Sequence, residues 1–360
     1  MVRRLLLLNG LAALMLALHH ATGYGFSAMF DWTDRYMPVA VPNYDQIGTL
    51  PYYAFIIIQQ LDYFALPAFM FVSGFFVTFL IGNKPLGDQF GNIKTRLVNL
   101  LIPFLLWSVV FFILFVRRLP DNADEILDRY HYIPLVMQFY IISPLLIPLA
   151  RKNWKLFLTG AVAVELFRFS IRYVNRLGID IPGIDLLINL TPRWMFPMLF
   201  SWFALGIVGN LYREQLMRWL PRYKWPLLAA TILLAISTMV EYTLFARAAG
   251  TQWLGTYFGG YTRHFYALAF ILCFLAFEDS KPPLDKQISS VGGKSLGIYL
   301  AHSRLMYVAA VIMYQQTPWI LGNQFLYQMV LVVVALGGSL LLMEVVKKTP
   351  ARRYYKYIFG

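Results

Sequence analysis

The chain has little charge and almost no cysteine. Only 14% of its 360 residues are Asp, Glu, Lys or Arg, and 59% are hydrophobic. A typical soluble domain carries about a quarter charged residues, so this balance excludes a soluble enzyme and reads as a chain that crosses a bilayer repeatedly. The single cysteine, Cys273, excludes an internal disulfide framework, and no Cys-rich ligand spacing occurs, so no metal site is expected. Acids are scarcer than bases, 18 against 31, which leaves a net charge of +13. Such an excess can point to nucleic acid. In a chain this apolar it matches basic loops facing anionic headgroups, so membrane lipids and not nucleic acid are the expected contacts. There is no internal repeat, no low-complexity stretch and no appended soluble domain, so residues 1–360 read as one membrane domain.

The apolar runs predict an all-α polytopic membrane protein with about ten transmembrane helices of about 20 residues each. They fall near 5–26, 53–81, 97–116, 132–150, 155–174, 194–211, 225–245, 263–278, 296–315 and 325–346. The 23 Tyr and 9 Trp suit many helix ends at membrane interfaces. The first run opens on Met-Val-Arg-Arg and is read as a retained helix, because Asn9, His19 and His20 interrupt it and no small-x-small cleavage site follows. With the N-terminus cytoplasmic, 20 of the 31 basic residues gather on that side, which predicts both termini cytoplasmic. The first outer loop, 27–52, carries Asp31, Trp32, Asp34, Tyr36, Tyr44 and Asp45, which suit a polar or sugar-like acceptor or a solvated connector equally. The basic, aromatic tail from Lys347 to Lys356 is expected along the inner leaflet.

Several polar groups sit inside the apolar runs, where they are costly and therefore functional candidates. In the first span, Asn9 and His20 are eleven residues apart, three helical turns, so they share a face, while His19 points about 100° away. Imidazole is the side chain best suited to moving protons near neutral pH. Gly10, Ala12, Ala13 and Ala17 let another helix approach closely. In the second span, Pro67 frees a mid-span carbonyl, Ser73-Gly74 offers a flat surface, and Asp62 lies eleven residues before Ser73 and so on its face. An acid at that depth needs a histidine or arginine partner, and Arg304 is one candidate. Lys94 and Arg96 precede Pro103 at the start of the third span, where they face phosphates or anchor the helix. Glu165, Arg168 and Arg172 fall at i, i+3 and i+7 of the fifth span and line one face, as a cavity ladder or a packing ion pair. Glu241 and Arg263-His264 lie near the outer side and border a site or snorkel. Gly292-Gly293-Lys294-Ser295 opens the ninth span and lacks the spacing of a phosphate-binding loop.

Taken in order, four elements resemble the acyltransferase-3 family of integral membrane acyltransferases, which modify polysaccharides, peptidoglycan and lipid-linked sugars. They are Asn9-Gly10-Leu11-Ala12-Ala13 with His20, Phe69 to Phe75 around Ser73-Gly74, Lys94 and Arg96 before Pro103, and Ser295 through His302. The chain departs from the family pattern where an arginine precedes the histidine, which is Asn9 here, and where a paired Arg-x-x-Arg is reduced to Arg96 and Asn99. The resemblance implies a bacterial inner-membrane enzyme that moves an acetyl or succinyl group from acyl-coenzyme A to a hydroxyl of a glycan or lipid-linked sugar, with no permanently bound cofactor. It implies His20 as the base or transient acyl carrier, with Asn9 and Asp62 beside it in the catalytic set. Ser73, Lys94, Arg96, Lys286 and Lys294 would meet the donor, and Glu165, Arg168, Arg172, His302 and Arg304 would line the substrate cavity. A transporter or exporter of a glycan or lipid-linked intermediate is the rival from another class. The paired broken helices of many secondary transporters are not found in this sequence.

Overall fold

The computed structural model of the protein describes residues 1–31, 48–82, 85–251, 254, 260–280 and 282–360. Trp32, Asp34, Tyr36, Tyr44 and Asp45 of the first outer loop, the side chain of Asp31, and Lys84 and Lys281 of the basic stretches lie outside the described residues. All regular structure among the described residues is helical. In chain order the helices are α1 (Val2–Phe26), α2 (Leu50–Leu61), α3 (Ala65–Ile81), α4 (Leu86–Phe111), α5 (Ala123–Arg129), α6 (Tyr132–Lys152), α7 (Trp154–Arg176), α8 (Ile184–Asn189), α9 (Phe200–Leu211) and α10 (Arg213–Trp219). They continue as α11 (Lys224–Ala248), α12 (Tyr261–Ala276), α13 (Asp285–Gly292), α14 (Ser295–Gln316), α15 (Gln324–Val333), α16 (Ser339–Lys348) and α17 (Tyr355–Phe359).

Seven stretches are long and apolar enough to cross a membrane: Val2–Met29, Leu50–Ile81, Gly87–Val116, Tyr132–Lys152, Arg213–Ala248, Ser295–Gln316 and Gln324–Lys348. The other three expected spans coincide with α7, which carries Lys155, Glu165, Arg168, Arg172 and Arg176 along its 23 residues, and with α9 and α12. The last two have 12 and 16 residues. A bilayer core needs about 20 residues of helix, so α9 and α12 fall short by length alone.

Pro67 sets the main irregularity. Its nitrogen has no hydrogen for the Tyr63 carbonyl, and its ring crowds that turn. The chain answers with a 3₁₀ turn, Asp62–Phe64, whose Asp62 carbonyl accepts from the Ala65 N–H. The eleven-residue phasing of Asp62 on Ser73 assumes an unbroken α-helix, and this 3₁₀ turn interrupts it.

The chain forms two compact units. The first comprises Met1–Leu66, Trp225–Ile271 and Asp279–Tyr355. Its centre is α1, packed against α13, α14 and α15 through the small residues expected to allow it. A Cβ at Gly10 would overlap the Ile288 carbonyl, and one at Gly292 would overlap the Leu6 carbonyl, so α1 and α13 touch backbone to backbone. Arg3 pairs with Asp285, and Arg4 donates to Ser280 O at 3.0 Å, fastening the same seam. Higher up, Ala17, Ala21 and Ala28 bury against Met306, Ala310, Met313 and Leu331.

The second unit comprises Pro67–Lys224, Leu272–Glu278 and Lys356–Gly360. Here α3 and α9 cross closely: a Cβ at Gly74 would overlap Phe203 O, and one at Gly206 would overlap Phe71 O. Phe139 of α6 stacks on Phe203 with centroids 4.7 Å apart. Asn122 caps α5 by accepting from Glu125 N at 2.9 Å, while Glu125 accepts from Asp121 N at 3.1 Å, a reciprocal cap. Beyond the basic tail, Phe359 is buried, and Trp107 of α4 donates to Ile358 O at 2.8 Å.

Candidate active site

The first unit gathers four histidines, one acid and one arginine from α1, the 3₁₀ turn, α12 and α14. Asp62 is almost wholly enclosed, its side chain 1% exposed, so its charge must be met by partners. His19 supplies one. Its Nδ1 stands 3.0 Å from both Oδ1 and Oδ2 of Asp62. A carboxylate only accepts, so Nδ1 carries the hydrogen, and Nε2 of a neutral ring is left as a base. The predicted partner for Asp62 is therefore a histidine, and its bonds run to His19, not to the suggested Arg304. Arg304 instead places its charge within reach of His302.

His20 stands between two other imidazoles. Its ring centroid is 5.6 Å from His19, edge to face, and 5.2 Å from His302. His302 is buried, and its Nδ1 donates to Ile298 O at 2.8 Å, one turn back on α14. Nε2 of His302 is thus an acceptor, with no hydrogen-bond partner among the described residues. The helix under these rings is braced: Thr22 Oγ donates to His19 O at 2.8 Å, and Gln328 Nε2 donates to Ala21 O at 2.8 Å. Asn9 sits on the same unbroken helix as His20. At 1.5 Å per residue it lies about 16 Å away, so the two share a face and not a reaction centre. Its buried Oδ1 has no hydrogen-bond partner among the described residues.

The residues expected to border the outer side do something else. Glu241, near the end of α11, accepts from Tyr261 N at 2.8 Å and from Thr262 N at 2.8 Å, with Thr262 Oγ on the same carboxylate. It caps the N-terminus of α12, where an anion is favoured by the exposed N–H groups. Arg263 does not snorkel. It is 3% exposed, donates to Gln59 O, and lies with its guanidinium 4.4 Å from the Tyr63 ring centroid, within charge reach of Asp62. The Tyr63 hydroxyl donates to His264 Nε2 at 2.9 Å, and His264 Nδ1 donates to Gly260 O at 3.2 Å. Lys286 is exposed on α13, and Lys294 is half-buried just before α14.

In the second unit, Ser73 Oγ is 3.2 Å from the Tyr132 hydroxyl, and Tyr140 lies within charge reach of Arg96. Lys94 and Arg96 are exposed. The one-face expectation for α7 meets three separate partners. Glu165 accepts from Ser201 N at 2.8 Å and Ser201 Oγ at 2.5 Å, Arg168 is buried within charge reach of Glu165, and Arg172 donates to the carbonyls of Ile188, at 3.1 Å, and Thr191. Arg172 thus finishes the end of α8. Outside the spans, the 117–131 connection is tied down by Arg193 on Asp128 and Trp194 on Asp124. His131 is pushed down to about 4, by burial first and then by the Arg193 charge.

A family model for an acyltransferase domain, the acyltransferase-3 type, matches residues 4–344. The chain belongs to the acyltransferase-3 family. It is a membrane acyltransferase, and its substrates are an acyl donor and an acceptor. No curated protein and no solved structure matches it. Among the described residues no group of His, Cys, Asp and Glu could hold a metal ion.

For an acyltransferase-3 chain the residues not singled out from the sequence are Gln59 and Tyr63 beside Asp62, and Gln328, which braces α1 at Ala21 O. A signal was present. Each is a polar residue in an otherwise apolar helix, and Gln59-Gln60 and Asp62-Tyr63 form one short run.

Proposed function

We propose that the protein moves an acetyl or succinyl group from acyl-coenzyme A to a hydroxyl of a glycan or lipid-linked sugar, with His20 as general base. The acceptor oxygen attacks the thioester carbonyl as His20 takes the hydroxyl proton. The C–S bond breaks, and the coenzyme A thiolate takes that proton back, leaving an ester, a free thiol and a neutral ring. The alternative course, in which His20 carries the acyl group between donor and acceptor, uses the same residue.

One observation supports this reading above the others: the His20 ring lies between His19, fixed by Asp62, and His302, whose Nε2 is an unused acceptor. Both neighbours are held in defined tautomers, and so a proton gained at His20 has defined neighbours. Lys94 and Arg96 are assigned to the donor's phosphates, with Lys286 or Lys294 as the alternative anchor, and Ser73 to the donor. Asn9, three turns below His20, is assigned to the donor's pantetheine arm, which is rich in amides. Within the second unit Glu165, Arg168 and Arg172 are assigned to substrate binding, and within the first unit His302 and Arg304 are. We place the enzyme in a bacterial inner membrane with ten spans and both termini cytoplasmic, following the basic-residue asymmetry.

The test is incubation of the purified protein in nanodiscs with radiolabelled acetyl- and succinyl-coenzyme A and a cell-envelope extract. Label on a glycan or lipid-linked sugar, with release of coenzyme A that H20A abolishes, is the expected result. No thiol release by a folded protein would point to the transporter reading.

A further inference from the structure

Arg263 is buried, charged and far in sequence from every motif that places the chain in its family. Its guanidinium is not saturated by hydrogen bonds. One N–H group meets Gln59 O, the face lies on Tyr63, and Nε has no hydrogen-bond partner among the described residues. Merely bracing a backbone carbonyl does not require a cation at such a depth. The charge does have a counterpart in Asp62, which is equally enclosed and lies within electrostatic reach.

The surroundings hold Arg263 in that role. Glu241 caps the first turn of α12, one and two residues before Arg263, and so fixes where the side chain starts. The Tyr63 hydroxyl is committed to His264, which leaves the ring face for the guanidinium. Tyr266, one turn on, donates to Leu61 O at 3.0 Å and binds α12 to the residue before Asp62. The groups facing this pair are His19 from α1, Tyr63 from the 3₁₀ turn, Glu241 and Tyr242 from α11, and His264 and Tyr266 from α12.

We propose that Arg263 is a positioning residue of acyl transfer that acts through Asp62: buried against Gln59 and Tyr63, on either side of Asp62, it balances that carboxylate and fixes its place, so that His19 keeps its Nδ1 hydrogen toward Asp62 and a fixed ring beside His20. This rests on the acyl-transfer reading above. Without the cation, the enclosed carboxylate loses its balancing charge and His19 loses a fixed acceptor.

The experiment compares wild type, R263Q, R263K, D62N and R263Q/D62N in nanodiscs, by coenzyme A release across pH and by thermal midpoint. R263Q is expected to lower kcat on the order of 10–100-fold, as for loss of a charge-assisted hydrogen bond. KM for acetyl-coenzyme A should stay within about threefold, and the acidic limb of the rate profile should move up by about one pH unit or more. R263K, which keeps the charge without the fork, should return the limb most of the way. Adding R263Q to D62N should cost less than about threefold, because the second change removes a cation with nothing left to serve. R263Q/D62N should also melt above R263Q, since no unbalanced charge remains buried. The double variant keeps the test available even if R263Q alone does not fold. An R263Q enzyme with wild-type kcat and limb, or effects of R263Q and D62N that multiply, would overturn the proposal. A wild-type protein that never consumes thioester overturns the acyl-transfer reading itself, and is distinguishable because it precedes any variant.

Discussion

The two adjacent histidines separate by experiment because the structure gives them different work. His19 is bonded to Asp62 at 3.0 Å, and His20 faces His302. If His20 is the base, H20Q removes the proton acceptor itself and costs about 10²–10⁴ in rate. H19Q removes an orienting ring held by one hydrogen bond to a charged group, worth about 1.5–3 kcal/mol. At about 1.4 kcal/mol per tenfold, that converts to roughly 10–150-fold. D62N should fall in the same range, and H19Q/D62N should be no worse than the poorer single variant, since both changes break one bond. The assay is single-turnover release of coenzyme A by purified protein, which separates chemistry from product release. An H19Q enzyme slower than H20Q would refute this division of roles and move the base to His19. Equal and multiplicative losses for H19Q and D62N would refute the claim that they act as a pair.

Three further outcomes follow from packing and charge. G10L should lower the thermal midpoint by more than a typical over-packing cost of about 1–3 kcal/mol, because the obstacle is the Ile288 backbone, which has no rotamer to change; L11A, on the same helix, serves as the control. S73A should cost under about 1.5 kcal/mol for one neutral hydrogen bond, while G74L should be far worse because it meets Phe203 O. Acidification should loosen the 117–131 connection. His131 is neutral in the fold and is held at about 4, so the stability it contributes is full above its unfolded value near 6.5 and is lost as pH falls through 4. Asp128 and Glu125 are held below their ordinary range, Asp128 by Arg193 against the opposing effect of burial and Glu125 by Arg118, so their contribution is lost lower still. The protection factors of α5 amides, corrected for the intrinsic fall of exchange with pH, should therefore drop between pH 6.5 and 4, and H131Q should remove that part of the response and leave only the change due to the carboxylates.

Much of this was legible from apolar runs and spacing. Seven of the expected spans are helices long and apolar enough to cross a membrane, while only Phe200–Leu211 of the expected 194–211 is helical; Gly10 and Gly74 make the close approaches that small residues suggested, because a helix seam needs only local sequence to be recognised. The partners were not legible. Asp62 was phased onto Ser73 across a turn that Pro67 alters, and its actual neighbours, His19 and Arg263, come from helices 43 residues earlier and 201 residues later. Glu241 looked like a rim residue, since nothing in the sequence says that the next helix begins under its carboxylate. For the α7 face, regular i, i+3, i+7 spacing does not reveal the partners, because Ser201 meets Glu165 while the carbonyls of Ile188 and Thr191 meet Arg172.

The clasp between Glu241 and the first turn of α12 has one last implication. It registers the two helices directly, so the direction in which Arg263 starts is set at the first turn of α12 by the Glu241 carboxylate. Weakening the clasp with E241Q should let that turn fray and free the side chain it carries.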